Sequence, residues 1–444
     1  MSLAAPTARP LRLAVIGGGW AGLSAAVAAV EAGHRVSLFE MARQWGGRAR
    51  STAGSGLDNG QHILIGAYRE TLALMRRVGV DPAQVLHRRP LALRWADGRG
   101  LELAAGPAAW AFTTAVLRCS AWSLADKLRL LTACGRWAAT GFRSDPDRTV
   151  DALCAGLPAT VRQLLIDPLC VAALNTPTRE ASAAIFLRVL RDGLFGGRGA
   201  CDLLLPRRPL RELLPDPAAG WLAARGAELQ LGRRVMALTR DDATWLVDGQ
   251  PFDGAVVACP AGEAARLVRP IDPTWSAVAE GLRFEPIVTV YARCEGTRLP
   301  LPMLAMPDDD RSPAQYVFDH GALGGPAGRL AFVVSGAAPW VARGLDVTAE
   351  AVRAQAAREL GRWGWSATEA RIEDVIAERR ATFRSTPGLV RPPMRIAPGL
   401  VAAGDHVAGP YPATLEGAVR AGIAAAVDIT STMQNTATPD SRPP

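Results

Sequence analysis

Lysine is almost missing from this chain: Lys127 is the only one in 444 residues. The formal excess of +8 is therefore carried by arginines scattered along the sequence, without the long basic runs that mark a nucleic-acid partner, and none is expected. The seven cysteines (119, 134, 154, 170, 201, 259 and 294) are odd in number and contain no C-x-x-C pair, which argues against a disulfide framework, a redox dithiol or a thiolate metal site. No metal is expected, and the cysteines read as reduced core residues of an intracellular protein. No uninterrupted apolar stretch reaches the ~18 residues of a membrane span, and the N-terminus lacks a secretory h-region. The expected location is cytoplasmic, with peripheral contact on the inner face of the cytoplasmic membrane left open. Tyrosines number four and histidines five (34, 62, 87, 320 and 406), so candidates for proton chemistry are few.

What is present begins with "RLAVIGGGWAGLSAAVAAVEAGHRVSLFE". A short apolar strand, Leu13 to Ile16, runs into Gly17, Gly19 and Gly22 at G-x-G-x-x-G spacing. An alanine-rich helix follows, and a second strand ends on Glu40. Gly17 allows the tight turn, Gly19 lets backbone approach a pyrophosphate, and Gly22 permits close helix packing. The helix N-terminus offers N–H groups to the anion, and Glu40 can accept from ribose hydroxyls. No second such unit appears: "HGALGGPAGR" contains proline, and "LFGGRGA" has no following helix. A built-in NAD(P)H domain is therefore not expected, and a separate electron donor must serve the chain.

Arg43, Gly46, Gly47 and Arg48 in "EMARQWGGRARS" resemble the second FAD motif of the flavin amine oxidase and carotenoid desaturase superfamily. Residues 400–422, "LVAAGDHVAGPYPATLEGAVRAG", resemble its C-terminal motif. There the resemblance implies that Gly404 and Asp405 bond the ribityl or phosphate part of FAD, and that Thr414, Leu415, Glu416, Gly417 and Ala418 open a helix facing the flavin pyrimidine. Val235 matches the position whose backbone meets the adenine.

The implied fold is α/β: a Rossmann-like FAD-binding domain assembled from discontinuous segments, with an interleaved α+β substrate domain. The expected division assigns 1–85 to FAD binding, 86–200 to the substrate domain, 201–261 to an FAD-domain β-meander, 262–385 again to substrate, 386–432 to FAD, and 433–444 to a disordered tail.

Three internal stretches narrow the resemblance: "LDNGQHILIGAY" (57–68), "PLCVAALNTPTREASA" (168–183) and "DLLLPRRPLRELLPDPAAGWL" (202–222). They are similar to the bacterial squalene-associated FAD-dependent desaturases, or hydroxysqualene dehydroxylases, of squalene and hopanoid biosynthesis. This resemblance implies reduction of the allylic alcohol hydroxysqualene to squalene by reduced FAD. The enzyme would need an apolar pocket for a C30 chain, hydride from flavin N5, and an acid or hydrogen-bond donor for the leaving hydroxide. A phytoene or carotenoid desaturase running the flavin in the opposite direction is the alternative. A flavin amine oxidase is less supported, because the superfamily's amine oxidases hold a lysine at flavin N5 and few tyrosines are available for an amine cage. A non-catalytic flavin-bound scaffold for squalene-pathway synthases is a further alternative.

Among the histidines, His34 belongs to a helix-to-strand turn, His87 to the basic "HRRP" segment, His320 to a glycine loop, and His406 follows Asp405. His62 follows the Gly46-Gly47-Arg48 motif, where the superfamily chain returns along the flavin edge. His62 is therefore the candidate general acid or hydroxyl-binding group, oriented by Asp58. The competing reading has these polar groups capping a strand end and bonding the flavin. In residues 107–143, Trp110, Phe112, Trp122, Trp137 and Phe142 alternate with Arg118, Lys127, Arg129, Arg136 and Arg143. Two readings stay open: an interfacial helix that admits a greasy substrate, or paired helices packed on the FAD domain with solvated arginines.

Overall fold

The computed structural model describes residues 9–52, 56–194 and 196–436. Its central six-stranded sheet runs in the order 395–397, 400–402, 254–257, 12–16, 35–40, 228–231, and every pairing is parallel except that of the first two strands. Strands Arg12–Ile16 and Gly254–Val257 are buried almost throughout, as expected of parallel strands covered on both faces. On one face lies the helix Trp20–Glu31, whose alanines let the C-terminal helix Leu415–Thr436 approach so closely that a Cβ on Gly422 would stand 2.1 Å from the Ala21 carbonyl oxygen. The other face is covered by the antiparallel ribbon 238–252, anchored by the fully buried Trp245 and Phe252, together with helices Ala261–Val268 and Pro273–Glu280.

Three differences from the sequence reading concern boundaries. Residues 203–223 are not β-meander: Leu203–Pro206 pairs with 64–65 and 86–89, and two short helices follow, with Leu210, Leu213, Leu214, Ala218 and Leu222 buried beside the first helix. The two helices after residue 261 pack on the central sheet, so the second sheet begins with Phe284 rather than near 262. The last helix continues to Thr436, and 437–444 of the expected tail lie outside the described residues.

The second sheet has five antiparallel strands in the order 303–305, 316–319, 329–334, 284–293, 371–383. One face packs on Val352, Ala356 and Leu360 of helix Leu345–Leu360. The other carries Tyr291, Met303, Tyr316 and Phe318 into a helical layer spanning 108–194. Asn175 locks that layer to the sheet. It ends helix Asp167–Leu174 in the left-handed region (φ 48°), its Oδ1 accepts the Gly336 N–H (2.7 Å), and its Nδ2 donates to Thr382 Oγ1 (3.0 Å) and the Glu285 carbonyl (3.3 Å). One of the three stretches carrying the resemblance thus does packing work. Because Asn175 is buried, Asn175→Ala should lower stability by about 2–4 kcal/mol, read by urea unfolding with an unchanged m-value.

Candidate active site

The glycine motif and the Gly46-Gly47-Arg48 motif form one structure. A Cβ on Gly22 would lie 1.8 Å from the Gly17 oxygen, and Gly17 itself takes φ 116° against the backbone of residue 258. The Gly46 N–H donates to the Gly18 carbonyl (2.9 Å), which brings Gly47 against Gly19. A Cβ on Gly19 would meet only the Gly47 Cα, at 3.8 Å. The result is a side-chain-free cradle at the N-terminus of helix Trp20–Glu31, where no side chain caps the helix. Backbone N–H groups and the helix dipole there fit a diphosphate. Glu40 ties this loop down through both carboxylate oxygens, accepting from Gly18 N–H and Ala42 N–H (each 2.7 Å), and keeps lone pairs for ribose hydroxyls.

Arg48 reaches from the cradle to Asp405, so the second and C-terminal motifs meet in an ion pair. Burial pushes the Asp405 carboxyl up, but the Arg48 charge and the hydrogen bonds from His406 and Arg48 together outweigh it and hold the group below the ordinary carboxylate range. Gly404 gives close backbone passage, since a Cβ there would meet the His406 ring at 2.6 Å. The His406 Nε2 is buried without a hydrogen-bond partner among the described residues. At the helix start, Thr414 Oγ1 accepts the Gly417 N–H (3.0 Å), while Leu415 and Ala418 pack into the core.

Some expected positions lie elsewhere or are already engaged. The Glu416 carboxylate turns away to accept Thr71 N–H (2.9 Å), Thr71 Oγ1–H (2.8 Å) and Glu70 N–H (3.1 Å), so only its backbone can face a cofactor. Arg43 is exposed, and the Val235 carbonyl accepts from Arg266 (2.7 Å).

Asp58 does not orient His62. Its Oδ1 accepts Ser51 Oγ–H (2.7 Å) and Leu210 N–H (2.9 Å), and its carbonyl accepts the Tyr291 hydroxyl (3.0 Å). Burial pushes its carboxyl up to about 6, against the pull of those hydrogen bonds. His62 Nδ1 lies 2.9 Å from the Gly60 carbonyl; a carbonyl only accepts, so Nδ1 carries the proton and Nε2 is the acceptor of the neutral ring. Burial is the largest influence lowering the His62 pKa, the Gly60 bond opposes it, and the Arg48 charge adds to it. The His62 side chain is only partly buried and keeps accessible surface. Beside it, Thr289 Oγ1 is buried without a partner among the described residues and lies 3.8 Å from where a Gly60 Cβ would be; the His62 ring is 3.7 Å from the same point.

Other members of this region were not anticipated. Asn59 Nδ2 donates to the Arg48 carbonyl (2.8 Å) and to Glu378 (2.9 Å), joining the cradle to the second sheet. His320 Nε2 meets Gln61 Oε1 (3.0 Å), its ring stands edge-on to Tyr291, and burial lowers its pKa to about 4. Arg391 donates to the carbonyls of Asp405 (3.2 Å) and Tyr411 (2.9 Å). Polar Asn59 and Gln61 were visible in "DNGQH", but their side-chain partners Glu378 and His320 lie 319 and 259 residues away, beyond any local signal.

Two outcomes follow from this geometry. Gly19→Val, at an ordinary φ of −76°, should fold normally yet fill the cradle, so that the purified protein loses its flavin absorbance. Asp58→Asn keeps an acceptor for Ser51 and Leu210 but cannot ionise. A raised folded-state pKa makes Asp58 most stabilising below 3.8 and progressively less so up to about 6. Stability of the wild type relative to Asp58→Asn should therefore fall as pH rises through that window, measured by urea unfolding at several pH values.

Residues 20–430 match the family model for flavin containing amine oxidoreductases. The chain is 31% identical to hydroxysqualene dehydroxylase of Rhodopseudomonas palustris, over 93% of this chain and 96% of that one. It is 29% identical to hydroxysqualene dehydroxylase of Zymomonas mobilis, over 93% and 97% respectively. The fold superimposes on an oxidoreductase of Methanosarcina mazei with a TM-score of 0.71 at 15% identity, covering 94% of this chain and all of that one. The chain belongs to the flavin containing amine oxidoreductases, in the branch formed by the hydroxysqualene dehydroxylases.

Proposed function

We propose that the protein reduces hydroxysqualene to squalene, with FAD as its flavin and electrons from a separate donor. When bound, reduced flavin would supply the hydride that the allylic carbon needs. The residues that would hold it are the glycines of the cradle, Glu40, Arg48, Gly404, Asp405 and the helix start at 414–418.

The supporting observation is a polar pair set in greasy surroundings. His62 and the partnerless hydroxyl of Thr289 flank Gly60, while Leu57, Ile63, Ile287 and Ile376 nearby belong to the apolar cluster of the helical layer. That arrangement suits a long hydrocarbon bearing one hydroxyl. In its neutral form His62 accepts the substrate O–H at Nε2 and aligns the C–O bond. Once protonated it donates from Nε2, and that proton leaves with the hydroxyl as water. Asp58 contributes by holding the turn through Ser51, Leu210 and Tyr291, an indirect role in place of the direct one expected from sequence.

Amine chemistry is disfavoured by the one lysine: Lys127 Nζ donates to the Leu117 carbonyl (2.9 Å) at a helix end in the helical layer.

His62→Ala should slow squalene formation by about 10²-fold or more with an unchanged bound-flavin spectrum. In the wild type, turnover should fall as pH rises through an inflection below the ordinary 6.5, because the donating form is lost. Two results together would overturn the direction of reaction: anaerobically reduced enzyme yields no squalene from hydroxysqualene, and oxidised enzyme supplied with an electron acceptor desaturates phytoene cleanly.

A further inference from the structure

Helices Ala108–Arg118 and Leu124–Ala139 carry large apolar side chains on the side that faces away from the protein. Their inward sides behave normally. Ala108, Ala111, Phe112, Ala115 and Val116 of the first helix, and Leu130, Ala133 and Trp137 of the second, are buried in the helical layer. At about 3.6 residues per turn, Trp110 and Leu117 fall opposite the first buried stripe, and Leu124 and Leu128 lie far round from the second. These four are 69%, 48%, 68% and 55% exposed. They make up four of the ten large hydrophobic side chains exposed among the described residues, collected between positions 110 and 128. A helix that only packs against its own domain is polar on that side.

The connection between the helices gathers the stripes. Lys127 Nζ donates to the carbonyl of Leu117, which holds the end of one helix beside the start of the next, where Leu124 and Leu128 stand. The surrounding charge has one sign: five basic residues and a single acid, Asp126, occupy 107–143. Asp126 is committed to the Ser123 capping box. Among the described residues Arg118, Arg129, Arg136 and Arg143 form no ion pair, whereas half of the described arginines elsewhere do, Arg9, Arg188, Arg234 and Arg395 among them. Exposed apolar side chains bordered by unpaired guanidinium groups match a bilayer surface with anionic headgroups, where the apolar groups enter the acyl boundary and the arginines stay with phosphate.

We propose that this helical hairpin is the membrane-docking face of the protein, binding anionic lipid through Trp110, Leu117, Leu124 and Leu128 and the flanking arginines. The buried side of the same hairpin belongs to the apolar cluster that reaches Ile63, beside His62. Docking therefore sets the substrate-facing layer against the phase in which a C30 hydrocarbon dissolves; this link, unlike the surface itself, rests on the function proposed above.

The test is flotation of the flavin-loaded protein with vesicles of phosphatidylglycerol and phosphatidylcholine, compared with vesicles of phosphatidylcholine alone. Wild type should float with the anionic vesicles and be released by salt. Trp110→Ser/Leu124→Ser and Arg129→Glu/Arg136→Glu should each weaken binding by at least about tenfold while keeping bound flavin and the unfolding midpoint. Both variants should turn over substrate normally in detergent micelles but slowly when it is presented in vesicles. Wild type that fails to float, or variants that float like wild type, would overturn the docking face. So would self-association that buries Trp110 and vanishes in Trp110→Ser/Leu124→Ser. Flotation does not depend on the reaction catalysed, so failure of the proposed reaction would leave it unchanged.

Discussion

The ion pair between Arg48 and Asp405 is the constraint around which the rest of the site is arranged. It joins two motifs 357 residues apart, and neither has its geometry without the other. An aspartate this buried is tolerated only because a guanidinium meets it. The arginine is fixed in turn by the carbonyl of Ala381 (2.9 Å) and by Asn59 at its own backbone. One contact thus draws together the glycine cradle, the C-terminal helix and the long strand Arg371–Phe383. Its fixed positive charge also faces His62 and helps keep that ring neutral.

From this anchor the segment "DNGQH" gains a physical purpose. Its polar groups do not decorate a surface turn. Asp58 ties to Ser51 and Leu210, Asn59 to Arg48 and Glu378, Gln61 to His320, and the Asp58 carbonyl to Tyr291. The segment crosses the seam between the two sheets, where each buried polar atom needs a partner, and it supplies those partners within five residues. His62 at its end is the member whose second nitrogen stays available, and it stands where polar seam gives way to apolar cluster.

Legibility in the sequence followed the range of the interaction. The strand-turn-helix-strand unit was readable because its glycines, apolar strands and Glu40 act on each other within about thirty residues. Gly46, Gly47 and Arg48 were readable as a second motif, although their contact with Gly18 and Gly19 is a tertiary fact. Asp58 was misassigned because sequence proximity to His62 suggested a pair, whereas in the fold its carboxylate points to Leu210, 152 residues away. The Glu416 side chain likewise finds distant partners, Glu70 and Thr71 on the helix Arg69–Arg77, which its place in the C-terminal motif did not reveal. Of the three tryptophans for which an interfacial and a packed reading both stood open, Trp122 and Trp137 are core residues and Trp110 faces outward. Composition gives a helix its aromatic residues but not its rotation about its own axis.

By itself the sequence determined the nucleotide-binding unit, the α/β class and the resemblance to a flavoprotein branch, because these rest on local turn chemistry and on short-range periodicity. Only the tertiary structure decided which polar groups meet, which tautomer His62 adopts against Gly60, and which side of the 108–139 hairpin is left bare. Those outcomes depend on burial and on partners hundreds of residues apart, and both exist only after the chain has closed on itself.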